Sequence, residues 1–92
     1  MGETNKKDFE LTKEVEIDGV KYKFQRLPVR AAMELRQGWQ DENGNAIATK
    51  MHDAILEHIV IEPKGLTIDD FNLPAEVEKV TGQALAFQYG GK

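Results

Sequence analysis

The stretch EVEIDGVKYKF, residues 14–24, constrains the fold more than any other part of this chain. Asp18-Gly19 is a favoured two-residue hairpin turn, because both residue types tolerate positive φ. With that turn at the centre, Ile17 faces Val20, Val15 faces Tyr22 and Lys13 faces Phe24. Glu16 then meets Lys21, and Glu14 meets Lys23, on the opposite face. One face collects Val15, Ile17, Val20, Tyr22 and Phe24; the other carries two opposite-charge pairs, each worth roughly 0.2–1 kcal/mol. A one-residue slip would turn the apolar set to solvent, so the register is well specified. A lone hairpin is marginal in water. The rest of the chain must therefore cover its apolar face.

Helical patterns supply the cover. LPVRAAMELRQGWQ (27–40) predicts a helix with Pro28 in its first turn and Pro28, Ala32, Leu35 and Trp39 on one face. DENGN (41–45) reads as a loop, with Asn45 as the expected cap of a second helix, AIATKMHDAILEHIV (46–60). That helix carries Ile47, Met51, Ile55 and Ile59 on a broad apolar stripe. HIVIEP (58–63) is open to a second reading as a third strand, because its β-branched residues suit either state. Thr67 and Asp70 have capping-box spacing and predict a short helical turn. The last helix is expected from Pro74, with Leu73, Val77, Val80, Ala84 and Phe87 in a 4-3-4-3 stripe. The expected architecture is α+β: an N-terminal antiparallel hairpin packed against about three helices. Residues 1–10 read as a flexible segment and 11–90 as a single domain, since 92 residues suit one core.

Chemistry is hard to find in the sequence. The chain has no cysteine and no serine, which removes disulfides, thiolate metal sites and the commonest nucleophiles. His52 and His58 are six residues apart, about 240° around a helix, so they cannot share a metal ion. Asp41, Asn43 and Asn45 alternate as in a calcium loop. Ala46, however, stands where that loop needs Gly, and His52 where it needs Glu. Asp69-Asp70 suits a helix start better than a cation site. AFQYGGK lacks the first Gly and the final Ser or Thr of a phosphate loop. No catalytic residue, cofactor or metal is expected. A formal net charge of −4 argues against nucleic acid, and no apolar run approaches a membrane span. Neither a signal peptide nor a myristoylation pattern is expected at the N-terminus.

The remaining candidates are large apolar side chains. Trp39, Phe87 and Tyr89 are of the type enriched at binding hot spots. The competing reading is that they complete a small core. The stripe of Val77, Val80 and Ala84 is narrow and heptad-like, and suits either inward packing or a partner helix. The candidate partner-binding set is therefore Trp39, Val77, Val80, Ala84, Phe87 and Tyr89.

With these elements placed, the chain resembles the short tail assembly chaperones of siphophages and prophages of Gram-positive bacteria. The shared features run from Ile17 to Gly90: the I-D-G-x-x-Y-x-F hairpin, a Leu-Pro helix start with an aromatic end, D-D-F before the last helix, and an F-x-Y-G finish. The resemblance implies a non-enzymatic protein in the cytoplasm of the infected host. It would bind the helix-rich tape measure protein, help recruit tail tube subunits and be missing from the mature virion. It also implies weak self-association, and a longer frameshifted form of which this chain would be the short version. No nucleic-acid or membrane partner is implied. The alternative expectation is a structural virion protein, a small connector or tube-related component. An enzyme or small-molecule binder is a third class, which would need convergent polar groups in a pocket.

Overall fold

A computed structural model describes residues 10–90. The hairpin forms as its sequence demands. β1 (Thr12–Ile17) and β2 (Val20–Gln25) pair antiparallel, with Ile17 opposite Val20, Glu16 opposite Lys21 and Glu14 opposite Lys23. Asp18 (φ 52°) and Gly19 (φ 84°) both occupy the left-handed region that the tight turn requires. After it come α1 (Val29–Gly38), α2 (Ala48–His58), β3 (Val60–Glu62), a 3₁₀ turn (Ile68–Asp70) and α3 (Pro74–Tyr89). The fold is α+β, as expected, with the antiparallel strand order β1-β2-β3. No helix among the described residues is long and apolar enough to cross a membrane. The segment expected to be loose, residues 1–10, lies outside the described residues except for Glu10.

The inward face of the hairpin meets α2 and α3. Phe24, Ile55, Leu56, Ile59, Val80 and Ala84 form the driest part of one core, joined by Ile17, Tyr22, Trp39, Val60 and Phe87. Burying each large apolar side chain contributes roughly 1.5–3 kcal/mol, which is what the solvent-exposed hairpin lacks on its own. The charged face of the sheet, with Glu14, Glu16, Lys21 and Lys23, points to solvent.

Two sequence expectations for α2 fail. Asn45 is not its cap: α2 starts at Ala48 behind Ile47, with no side-chain cap. The Asn45 N–H is instead taken by Asp41 Oδ1 (2.9 Å), which also accepts from Asn43 N–H (2.8 Å). A Gln40–Ala46 bridge closes this small loop, and Ile47 N–H donates to the Trp39 carbonyl (2.7 Å). Asp41 competes for the local donors and delays the helix. At the other end α2 stops at His58 rather than Val60. The Gln25 N–H takes the Ile59 carbonyl (2.8 Å), and the Gln25 side chain takes the His58 carbonyl (2.9 Å). Val60 then turns into β3 and pairs with Phe24 on β2. Sheet pairing thus decides the open reading of residues 58–63 in favour of a strand.

Candidate polypeptide-binding surface

The three residues leaving β2 organise the molecule. Gln25 ties down the end of α2, as above. Arg26 reaches the C-terminal turn of α3, where its guanidinium donates twice to the Phe87 carbonyl (Nη2 2.7 Å, Nε 3.1 Å). The same group lies 4.1 Å from the Phe87 ring centroid. A cation on a helix-end carbonyl is favoured by both hydrogen bonding and the helix dipole. Leu27 is held by the amide of Gln88, which accepts from the Leu27 N–H (2.6 Å) and donates to its carbonyl (3.2 Å). One side chain thereby imitates a neighbouring strand.

Tyr89 completes the clamp. Its hydroxyl donates to the Ala32 carbonyl in α1 (2.6 Å). Its ring meets Trp39 edge-on, with centroids 6.0 Å apart, and Arg36 lies 4.6 Å from its centroid on the other contact. Burial raises the Tyr89 phenol pKa above its ordinary value, partly offset by Arg36. The hydroxyl therefore stays protonated and remains a donor through the neutral range.

These contacts locate the six expected partner-binding residues. Trp39 (3% exposed), Val77, Val80, Ala84 and Phe87 are all buried, and Tyr89 is half-buried against α1. The narrow stripe of α3 packs inward against α2 and the sheet rather than offering itself to a partner helix.

The apolar surface lies elsewhere. Among the described residues, Leu11, Val20, Val29, Met33 and Leu73 are the large hydrophobic residues left exposed. Leu73, which its spacing assigned to the buried stripe, is 59% exposed. It precedes Pro74 with extended backbone, so helical periodicity does not govern it. Val29 and Met33 stand one turn apart on the outer face of α1; their i, i+4 spacing was the sequence signal for this second stripe.

Two grooves flank the segment after the 3₁₀ turn and share Phe71 and Asn72 as a wall. One, of about 440 Å³, runs between α2 and α3 past Ala48, His52, Ile68, Leu73 and Val77, with Asp69 and Glu78 at its edge. The other, of about 350 Å³, runs under the hairpin tip past Val20, Tyr22 and Leu66, with Asp18, Asp70 and Glu76. The capping box holds this wall in place: Asp70 Oδ2 accepts from Thr67 N–H (2.8 Å) and Thr67 Oγ1 from Asp69 N–H (3.2 Å). Asp53 Oδ1 accepts from Ile68 N–H (3.0 Å), and Glu76 Oε1 from Asn72 N–H (3.0 Å). Burial, then the carboxylates of Asp18 and Glu76, raise the pKa of Tyr22; Asp18 is itself paired with Lys79 Nζ (3.1 Å). Behind the first groove the buried Thr81 hydroxyl donates to the Val77 carbonyl (3.0 Å) and so accepts from His52 Nδ1 (2.9 Å). His52 thereby serves packing and carries its proton on Nδ1. Among the described residues no three His, Cys, Asp or Glu side chains converge as a metal site would need.

No protein-family model, characterised protein or solved structure matches the chain.

Proposed function

We propose that the chain is a tail assembly chaperone of the Gram-positive siphophage type. It binds the tape measure protein, keeps that helix-rich chain soluble and helps recruit tail tube subunits. The observation that carries this reading is the ordered set of motifs from Ile17 to Gly90, which spans nearly the whole domain. Leu73, Val20 and the apolar walls of the two grooves supply surface on which apolar side chains of another polypeptide can be sheltered without any bond being made or broken.

Co-expression with a siphophage tape measure protein tests the reading. The expected result is a soluble complex recovered on the tagged chaperone, with the chain missing from purified particles by mass spectrometry. A tape measure protein no more soluble with the chain than without it overturns the proposal. So does a fixed copy number of the chain in the particle, which is the signature of a connector or tube component.

A further inference from the structure

The two grooves differ in how their carboxylates are employed. Under the hairpin tip, Asp18 is paired with Lys79, Asp70 accepts from the Thr67 N–H and Glu76 accepts from the Asn72 N–H. At the groove between α2 and α3 the carboxylates are Asp69, on the 3₁₀ turn, and Glu78, on α3. Both residues are exposed, and among the described residues neither carboxylate has a hydrogen-bond or ion-pair partner. No Lys or Arg lines this groove, and between Lys64 and Lys79 every charge is negative. His52, its other titratable lining residue, is engaged with Thr81. The remaining walls are apolar. Val77 is buried, Leu73 is 59% exposed, and Ala48 and Pro74 are short side chains at the starts of α2 and α3. Short side chains at the mouth let a third helix approach the pair closely.

We infer that the groove between α2 and α3 takes a short basic amphipathic helix of another protein. Its apolar side chains would lie over Val77 and against Leu73, and its Lys or Arg side chains would meet Asp69 and Glu78. Charge complementarity selects this occupant. An acidic segment would set its own charge against two unneutralised carboxylates. A small polar ligand is poorly served, because among the described residues no buried side-chain polar atom lacks a partner. The identity of the partner rests on the tail-assembly reading, under which the helix belongs to the tape measure protein. The inference adds which groove holds that chain and that the held segment is basic.

Two labelled helical peptides with the same leucine spacing, one carrying Lys on its polar face and the other Glu, are titrated with the full chain and followed by fluorescence anisotropy. The Lys peptide should bind at least about tenfold more tightly than the Glu peptide, and its binding should weaken several-fold between about 0.05 M and 0.5 M NaCl. Glu78→Lys should weaken it about tenfold and Leu73→Ala about fivefold. Glu34→Lys makes the same change in net charge on α1, away from the groove, and should stay within about twofold of the parent. Circular dichroism checks folding, and if Glu78→Lys unfolds the chain, Glu78→Gln probes the same contact. Equal binding of the two peptides overturns the inference, as does equal weakening by Glu78→Lys and Glu34→Lys. Loss of peptide binding as the chain's own concentration rises would give the groove to a second copy and also overturns it. In the co-expression assay, Glu78→Lys should leave the tape measure protein insoluble. A tape measure protein that this variant keeps as soluble as the parent does overturns the inference and spares the tail-assembly reading. A Lys peptide that binds as expected, beside a tape measure protein the parent leaves insoluble, supports the groove and overturns that reading instead.

Discussion

The Gln88–Leu27 contact offers the sharpest test of how the fold is held. Gln88→Ala removes both hydrogen bonds to the Leu27 backbone, at 2.6 and 3.2 Å, in a half-buried setting. A typical hydrogen bond contributes about 0.5–1.5 kcal/mol net, and an amide left unpaired costs more, so the loss should be about 1–3 kcal/mol. Gln83 is exposed on the same helix, and Gln83→Ala should stay within about 0.5 kcal/mol of the parent, which controls for helix propensity. Trp39 is the only tryptophan and lies against Tyr89 in the same clamp, so its fluorescence reports the transition in urea. With a slope near 1 kcal/mol per molar for a domain of this size, the midpoint should fall by about 1–3 M. Gln88→Glu makes the test more stringent. One oxygen can still accept from the Leu27 N–H, but the other faces the Leu27 carbonyl where an amide donated. Repulsion there disfavours the ionised form and raises the folded-state pKa of the new carboxyl above its unfolded value of about 4.3. The protonated acid can donate, so the variant should approach the parent below about pH 4.3 and fall behind as pH rises through the raised pKa. A Gln88→Ala midpoint matching that of Gln83→Ala would refute the clamp. A Gln88→Glu deficit independent of pH would refute the assigned direction of the second hydrogen bond.

Two further outcomes follow from the same geometry. Tyr22 and Tyr89 have phenol pKa values raised above 10.0 in the folded state, chiefly by burial, so their contribution is fully present below pH 10.0 and is lost as pH rises through the raised values. Alkaline unfolding followed by far-ultraviolet circular dichroism should begin above pH 10.0, and Tyr89→Phe should shrink that pH-dependent loss while costing about 1 kcal/mol at neutral pH from its bond to Ala32. Gly19→Ala should destabilise by about 1–2 kcal/mol in chemical denaturation; a Cβ there meets nothing within 4 Å, so the cost is purely that of a positive φ.

Much of the fold was legible because its cues are local. Asp18-Gly19 and the alternation on either side specify the hairpin pairs within a few residues of one another. Thr67 and Asp70 announce their own turn, and the spacing of Val77, Val80, Ala84 and Phe87 marks the inward face of α3. The site was less legible. Aromatic residues suited to binding, Trp39 and Phe87, are equally suited to a core, and in a chain this short the core takes them. The exposed pair Val29 and Met33 was present as a spacing of four, but a pattern does not say which of two faces of α1 meets the sheet.

The sequence alone determined the hairpin and its register and the capped turn, because each closes over a short loop at little entropic cost, and the buried stripe of the last helix, because its spacing follows the helical turn. Tertiary structure decided where α2 stops, that Val60–Glu62 becomes a strand, and that Arg26, Leu27 and Ala32 are fastened to Phe87, Gln88 and Tyr89. The Arg26–Phe87 and Leu27–Gln88 contacts join positions 61 residues apart, and the side chains that make them bond to backbone groups. Every residue but proline carries both backbone groups, so no pattern in the sequence could mark such partners before the fold brought them together.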